Sequence, residues 1–194
     1  MDAAGYWDAQ AGTFDDEPDH GLADASVRDA WARLLLPRMP ASASVSDLGS
    51  GTGTLAVLLA EAGHSVSGVD VSPRMVAAAR AKAASAGVAA QFVVGDAAAP
   101  PWPPASVDVV LSRHVLWAMP DPDAAIACWA GLLRPGGRLL LVEGRWSTGG
   151  GLSAAAVRDL VLQHRAEADV VPLDDRALWG RPVTDERYLV ASAC

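Results

Sequence analysis

A glycine turn, three acids and one histidine have the residue types and spacing to do chemistry. Asp47 stands two residues before Gly49 in the run Asp47-Leu48-Gly49-Ser50-Gly51-Thr52-Gly53-Thr54. Glycine at alternate positions lets the backbone pass through φ > 0 and lets a ligand approach without meeting a Cβ. A helix opening straight after such a turn offers free N–H groups that favour a negative ligand group. Asp70 follows Gly49 by 21 residues. In nucleotide-binding α/β sites an acid about 20 residues past the turn accepts hydrogen bonds from ribose hydroxyls. A carboxylate suits this because it only accepts and can take two O–H donors. The plainer reading, an exposed acid at a strand end, is outweighed by the glycine turn before it. His114 is a side chain able to take a proton near neutral pH, so it is either an acid/base group or part of a pocket wall. His20 has a weaker claim; His64 and His164 read as surface or packing residues.

The elements that position these residues alternate. Residues 45–48 read as a short buried strand. Leu55, Leu58, Leu59 and Ala62 then mark one helical face, which Gly63 ends. Residues 64–70 alternate as a second strand ending on Asp70. Ser72 caps the next helix with Pro73 at its first position; Met75, Val76, Ala79 and Ala83 face its core, and Gly87 ends it. Residues 91–96 form a third strand ending on Asp96. Past a stiff proline loop at 100–104, residues 107–111 form a fourth strand, and residues 112–117 begin the following helix. A helix over 124–133 leads through Pro135-Gly136-Gly137 into a fifth strand, after which Glu143, Arg145 and Trp146 leave at the ligand edge. A helix over 153–166 and strands at 169–173 and 187–191 close the chain. Before all this, residues 1–40 carry Tyr6, Trp7, Phe14 and Trp31 and a helix from Asp24 to Pro37, around a polar break at 15–21. They pack on the sheet edge, cap a cleft, or do both.

At 194 residues, 51% hydrophobic and 20% charged, the chain has the size and composition of one globular domain. A net charge of −8 and no Lys/Arg run argue against a nucleic-acid footprint. The two cysteines, Cys128 and Cys194, make neither a disulfide framework nor a zinc spacing, and no metal site is expected. The opening from Met1 to Tyr6 lacks the basic start and apolar core of a signal peptide, and no apolar run approaches a bilayer span. The expectation is a cytoplasmic protein.

The D-x-G-x-G-x-G pattern from Asp47 to Gly53 resembles motif I of the Rossmann-like (class I) S-adenosylmethionine (SAM) dependent methyltransferases of the methyltransferase-11 type. The dinucleotide fingerprint would instead place its last glycine at Thr54. The L-R-P-G-G-R-L stretch from Leu133 to Leu139 and the Tyr6-Trp7-Asp8, Phe14-Asp15 and His20-Gly21 opening strengthen the likeness, which is firm over residues 45–146. It implies an α/β, doubly wound, mostly parallel seven-stranded sheet with helices on both faces and an antiparallel final strand. One domain is expected: a helical cap at 1–40, a SAM-binding core at 41–146, and a last helix with the closing strand pair at 147–194.

The resemblance also implies roles. Gly49, Gly51 and Gly53, with Asp47 and Ser50, admit the methionine end of SAM; Asp70 and Val71 meet the ribose; Met75, Asp96 and Ala97 meet the adenine; the Ser112 and Arg113 carbonyls meet the methionine ammonium; Tyr6 belongs to the closing lid. His114 occupies the position facing the transferred methyl group. Trp7, Phe14, Trp117 and Trp146, with His114, are candidates for the substrate wall. The expected reaction is in-line methyl transfer to a small-molecule acceptor, with neither nucleic acid nor membrane as partner and a homodimer left open. A NAD-dependent oxidoreductase and a catalytically silent SAM-binding protein are the competing readings.

Overall fold

The computed structural model describes residues 2–193; Met1 and Cys194, both discussed above, lie outside them. Seven strands form one sheet: β1 (Ser44–Leu48), β2 (Ser65–Asp70), β3 (Gln91–Val94), β4 (Val107–Arg113), β5 (Leu133–Arg145), β6 (Asp169–Pro172) and β7 (Glu186–Ala193). Their order is β3-β2-β1-β4-β5-β7-β6. The first five run parallel, and β7 is antiparallel to both β5 and β6. The order reverses between β1 and β4, which opens a crevice beyond their carboxyl ends.

Helices cover both faces. On one side lie α3 (Ala25–Leu35), α4 (Thr54–Glu61) and α5 (Pro73–Ala86), packed on Val45, Val66, Val109 and Leu140. On the other lie α6 (Pro122–Leu132) and α7 (Ala154–His164), packed on Leu48, Val69, Val110 and Leu139. Successive residues of a strand point to opposite faces, which is why Leu139 and Leu140 join different cores. Ser72 Oγ accepts from the Met75 N–H and caps α5 as its sequence predicts.

Three expectations need correction. Residues 112–117 do not begin a helix. β4 continues through Arg113, His114 takes a left-handed φ of 59°, and after one 3-10 turn at Leu116–Ala118 the helix starts only at Pro122. The His114 N–H still pairs with the Val142 carbonyl, Glu143 Oε1 accepts the Val115 and Leu116 N–H groups at 2.9 and 2.7 Å and fixes the turn, and Pro120 and Pro122 stop a helix from running on through it. The polar break at 15–21 contains a short helix, α2 (Pro18–Gly21), and a 3-10 turn at Phe14–Asp16. The closing strands are separated by a further short helix, α8 (Arg176–Trp179).

The leading residues fold back over the sheet's ligand edge. In α1 (Ala3–Gln10), Asp8 accepts from Ser72 Oγ and from the Arg74 N–H, pinning α1 to the start of α5. Asp15 accepts from Thr52 Oγ1 at 2.5 Å and ion-pairs with Lys82 at 2.8 Å, closing the following segment over the glycine turn. No helix of the described residues is long and apolar enough to cross a membrane.

Candidate active site

A cavity of about 610 Å³ lies at the carboxyl edge of the sheet, under the leading residues. Its floor is the glycine turn and the ends of β1, β2 and β4.

The three glycines do different work. A Cβ on Gly49 would lie 2.3 Å from Val115 Cγ2, and one on Gly53 would lie 2.8 Å from Ala79 Cβ, so these two are glycine because protein packs against them. Gly51 faces the cavity; the nearest atom to a Cβ there is Phe14 Cε1 at 3.4 Å. Gly49 and Ser50 also line the cavity, whereas Gly53 is set behind it.

Asp70 ends β2 with both oxygens engaged: Oδ2 accepts from the Gly51 N–H at 2.8 Å, Oδ1 from the Ser72 N–H at 2.9 Å. Burial raises its pKa and these two backbone bonds oppose the rise. Each oxygen keeps a lone pair for a ligand hydroxyl. Asp96 accepts from the Ala98 N–H, and the Ala97 carbonyl is held by the Trp129 indole at 2.7 Å. Val71 and Met75 complete that wall.

Asp47 is buried at the end of β1, and no protein donor among the described residues hydrogen-bonds its carboxylate. Burial pushes its pKa up to about 7, against the pull of the Arg113 guanidinium. A lone carboxylate beside a cavity is a place for a ligand cation. The floor can therefore take a nucleoside along Asp70 and Asp96 and a cationic tail at Asp47.

The opposite wall is aromatic. Trp146 meets His114 edge-on, with ring centroids 5.6 Å apart, and Trp117 at 5.1 Å. Trp179 lies parallel to His114 at 5.9 Å. Phe14 stacks on His20 at 4.3 Å, and Trp7 meets Phe14 edge-on at 6.3 Å. His114 is open to the cavity on one side, and its Nε2 is buried without a partner. Burial, then the Arg113 and Arg187 guanidiniums, hold its pKa well below the usual value, so the ring is neutral. His20 Nδ1 lies 3.1 Å from the Phe14 carbonyl oxygen, and burial lowers its pKa too.

Most of the candidate residues thus converge on one cavity. Three do not line it: Tyr6 is exposed and touches Trp7, Gly53 packs under α5, and Ser112 is buried with its Oγ donating to the Leu48 carbonyl. Glu143 is buried behind the 115–116 backbone rather than facing a substrate, and Arg145 is exposed outside the cavity. Conversely, Asp19, Trp179, Arg181 and Arg187 line it and were not singled out. An antiparallel final strand necessarily begins at the ligand edge, and that was the available signal for Arg187.

A family model described as a methyltransferase domain matches residues 46–141. The ubiquinone biosynthesis O-methyltransferase of Xanthomonas euvesicatoria pv. vesicatoria is 35% identical over 139 residues, 70% of this chain and 54% of that protein. The demethylmenaquinone methyltransferase of Thermus thermophilus is 36% identical over 123 residues, 62% of this chain and 55% of that protein. The chain spans about half the length of these curated relatives. Among solved structures, a SAM-dependent methyltransferase from Methanosarcina mazei superposes with a TM-score of 0.69 at 20% identity, over 82% of this chain and 96% of that one, a likeness of fold.

Proposed function

Since this chain belongs to the Rossmann-like, SAM-dependent methyltransferases, we propose that it transfers the methyl group of SAM to a small organic acceptor. The observation that carries the reading is the division of one cavity into an acid-lined floor and an aromatic wall, with His114 between them.

SAM supplies an electrophilic methyl on a sulfonium; the acceptor's lone pair forms the new bond as the C–S electron pair returns to sulfur. The chain's own residues fit that ligand. Asp70 takes the ribose hydroxyls on its free lone pairs, and Asp96 with Ala97 borders the base. Asp47 receives the ammonium, which supplies the hydrogen-bond donor that this buried carboxylate, faced by the Arg113 guanidinium, lacks among the described residues. Phe14 and the leading residues exclude water above Gly51. Holding two reactants in line can itself supply about 7–11 kcal/mol. His114, being neutral, accepts a hydrogen bond from the nucleophile and orients it; its depressed basicity makes it a poor final resting place for a proton. His20 sits one ring further back, behind Phe14.

A small acceptor accords with the enclosed aromatic wall and the acidic net charge. The two curated relatives are named for quinone-pathway methylations, which makes small-molecule acceptors the first to try.

Calorimetric titration with SAM, S-adenosylhomocysteine and NAD tests the reading. Micromolar binding of the first two and none of NAD is expected. Absence of SAM binding, or NAD in its place, overturns it. Binding with no transfer to any acceptor in a broad screen would instead identify a silent SAM-binding protein.

A further inference from the structure

Arg187 enters the aromatic wall from the start of β7, opposite Gly144 of β5. Its guanidinium carbon lies 4.9 Å from the Trp179 ring centroid and 5.8 Å from that of Trp146. Its only ion pair among the described residues is a long one, from a terminal nitrogen to Asp185 at 3.3 Å. Its Nε is buried with no partner. His114, whose pKa the Arg187 guanidinium helps to lower, has its Nε2 equally unpartnered among the described residues and carries no charge. The other cations of the cavity are already answered: Arg181 pairs with Glu17 at 3.2 Å, and Arg113 donates to the Asp19 carbonyl and faces the Asp19 and Asp47 carboxylates. The acceptor end is thus a flat, π-lined slot with one guanidinium whose donors are incompletely used.

We propose that the acceptor is a planar aromatic molecule bearing an anionic oxygen substituent, a carboxylate or an ionised ring oxygen, which Arg187 reads while the indole rings hold the ring plane. This specifies the substrate class of the site described above and rests on its being the acceptor site. The competing occupant of an aromatic box is an organic cation. Here one π face each of Trp146 and Trp179 is covered by the Arg187 guanidinium, and a second cation would meet it at close range. A planar guanidinium backed by indole rings is pre-organised for a carboxylate, and among the described residues only Asp185 takes a bond from its terminal N–H groups, which leaves the others for a ligand oxygen.

The test uses salicylate, its near-isosteric neutral amide salicylamide, and benzyltrimethylammonium, each titrated into the full chain by tryptophan fluorescence with and without saturating S-adenosylhomocysteine. Salicylate should bind roughly tenfold or more tighter than salicylamide, and the cation weakest. Arg187→Met should abolish the preference for the acid, and Arg187→Lys should restore part of it, while both variants bind S-adenosylhomocysteine as the parent does. Equal binding of acid and amide, tighter binding of the cation, or an acid preference that survives in Arg187→Met each overturns the inference. S-adenosylhomocysteine binding reports on the methyltransferase reading separately. Its failure alongside an intact acid preference would sink that reading and leave the anion subsite standing.

Discussion

The Gly51 N–H donates to Asp70 Oδ2 over 2.8 Å, so the acid that ends β2 also holds the glycine turn in place. One side chain therefore shapes the floor of the site and offers its remaining lone pairs to a ligand. Asp70→Ala should weaken SAM binding by about 10–100-fold, from lost charge-assisted bonds to the ribose and a loosened turn. Calorimetry decides: unchanged affinity would remove Asp70 from the ribose role.

Asp47 should make SAM affinity depend on pH. In the free protein its pKa is pushed up to about 7 by burial. A bound ammonium favours the carboxylate, so the pKa falls on binding and binding releases a proton when the free carboxyl is protonated. Affinity should fall by up to about tenfold per pH unit below pH 7, until the lower, bound-state pKa is reached. Asp47→Asn should bind weakly with that slope removed. A slope that persists in Asp47→Asn would assign it to another group.

His114 sits at φ 59°, a conformation that asparagine tolerates better than most residues. His114→Asn therefore keeps the backbone while altering the hydrogen-bonding group. Turnover on the identified acceptor should fall by about 100-fold or more, the usual scale for a positioned proton-transfer or hydrogen-bonding group, with S-adenosylhomocysteine binding nearly unchanged. Equal turnover and an unaltered pH profile would reduce His114 to a wall.

Lys82 ties Asp15 to Thr52 and Thr54, and so ties the leading segment to the glycine turn. The pair is partly exposed, so its worth is discounted to about 1 kcal/mol or less. Lys82→Met should speed S-adenosylhomocysteine release by up to about fivefold in stopped-flow fluorescence. An unchanged release rate would mean that this contact does not control opening.

Glu143 supports the turn that presents His114. Glu143→Ala leaves the Val115 and Leu116 N–H groups without their acceptor and should cost about 2–3 kcal/mol in denaturant unfolding. Glu143→Gln keeps an accepting oxygen and should recover most of it. Equal losses in both would mean that the charge, rather than the acceptor, matters.

The strand-turn-helix at 44–61, the acid ending β2 and the acid two residues past the end of β3 were legible in the chain because they are local, whereas the mostly parallel sheet followed from the family resemblance. Each rests on apolar periodicity, a cap, or glycine beside a strand end, within a few residues of one another. Even the glycines carried a wrong emphasis there, since only contact with Val115, Ala79 and Phe92 distinguishes packing glycines from the cavity-facing Gly51.

The 112–118 turn rests on both kinds of cause. Pro120 and Pro122 stop a helix locally, while Glu143, 27 or 28 residues away, fixes the turn by accepting its N–H groups. Arg187 and Trp179 belong to the site only because β7 runs antiparallel beside β5, which returns the chain's last segment to the ligand edge. The sequence by itself determined which residues line the floor, since strand ends and turns place them by short-range geometry, and it supplied His114, Trp117 and Trp146 of the aromatic wall. The tertiary structure alone added Trp179 and Arg187 and decided which rings face one another, because sheet order and burial bring those groups together.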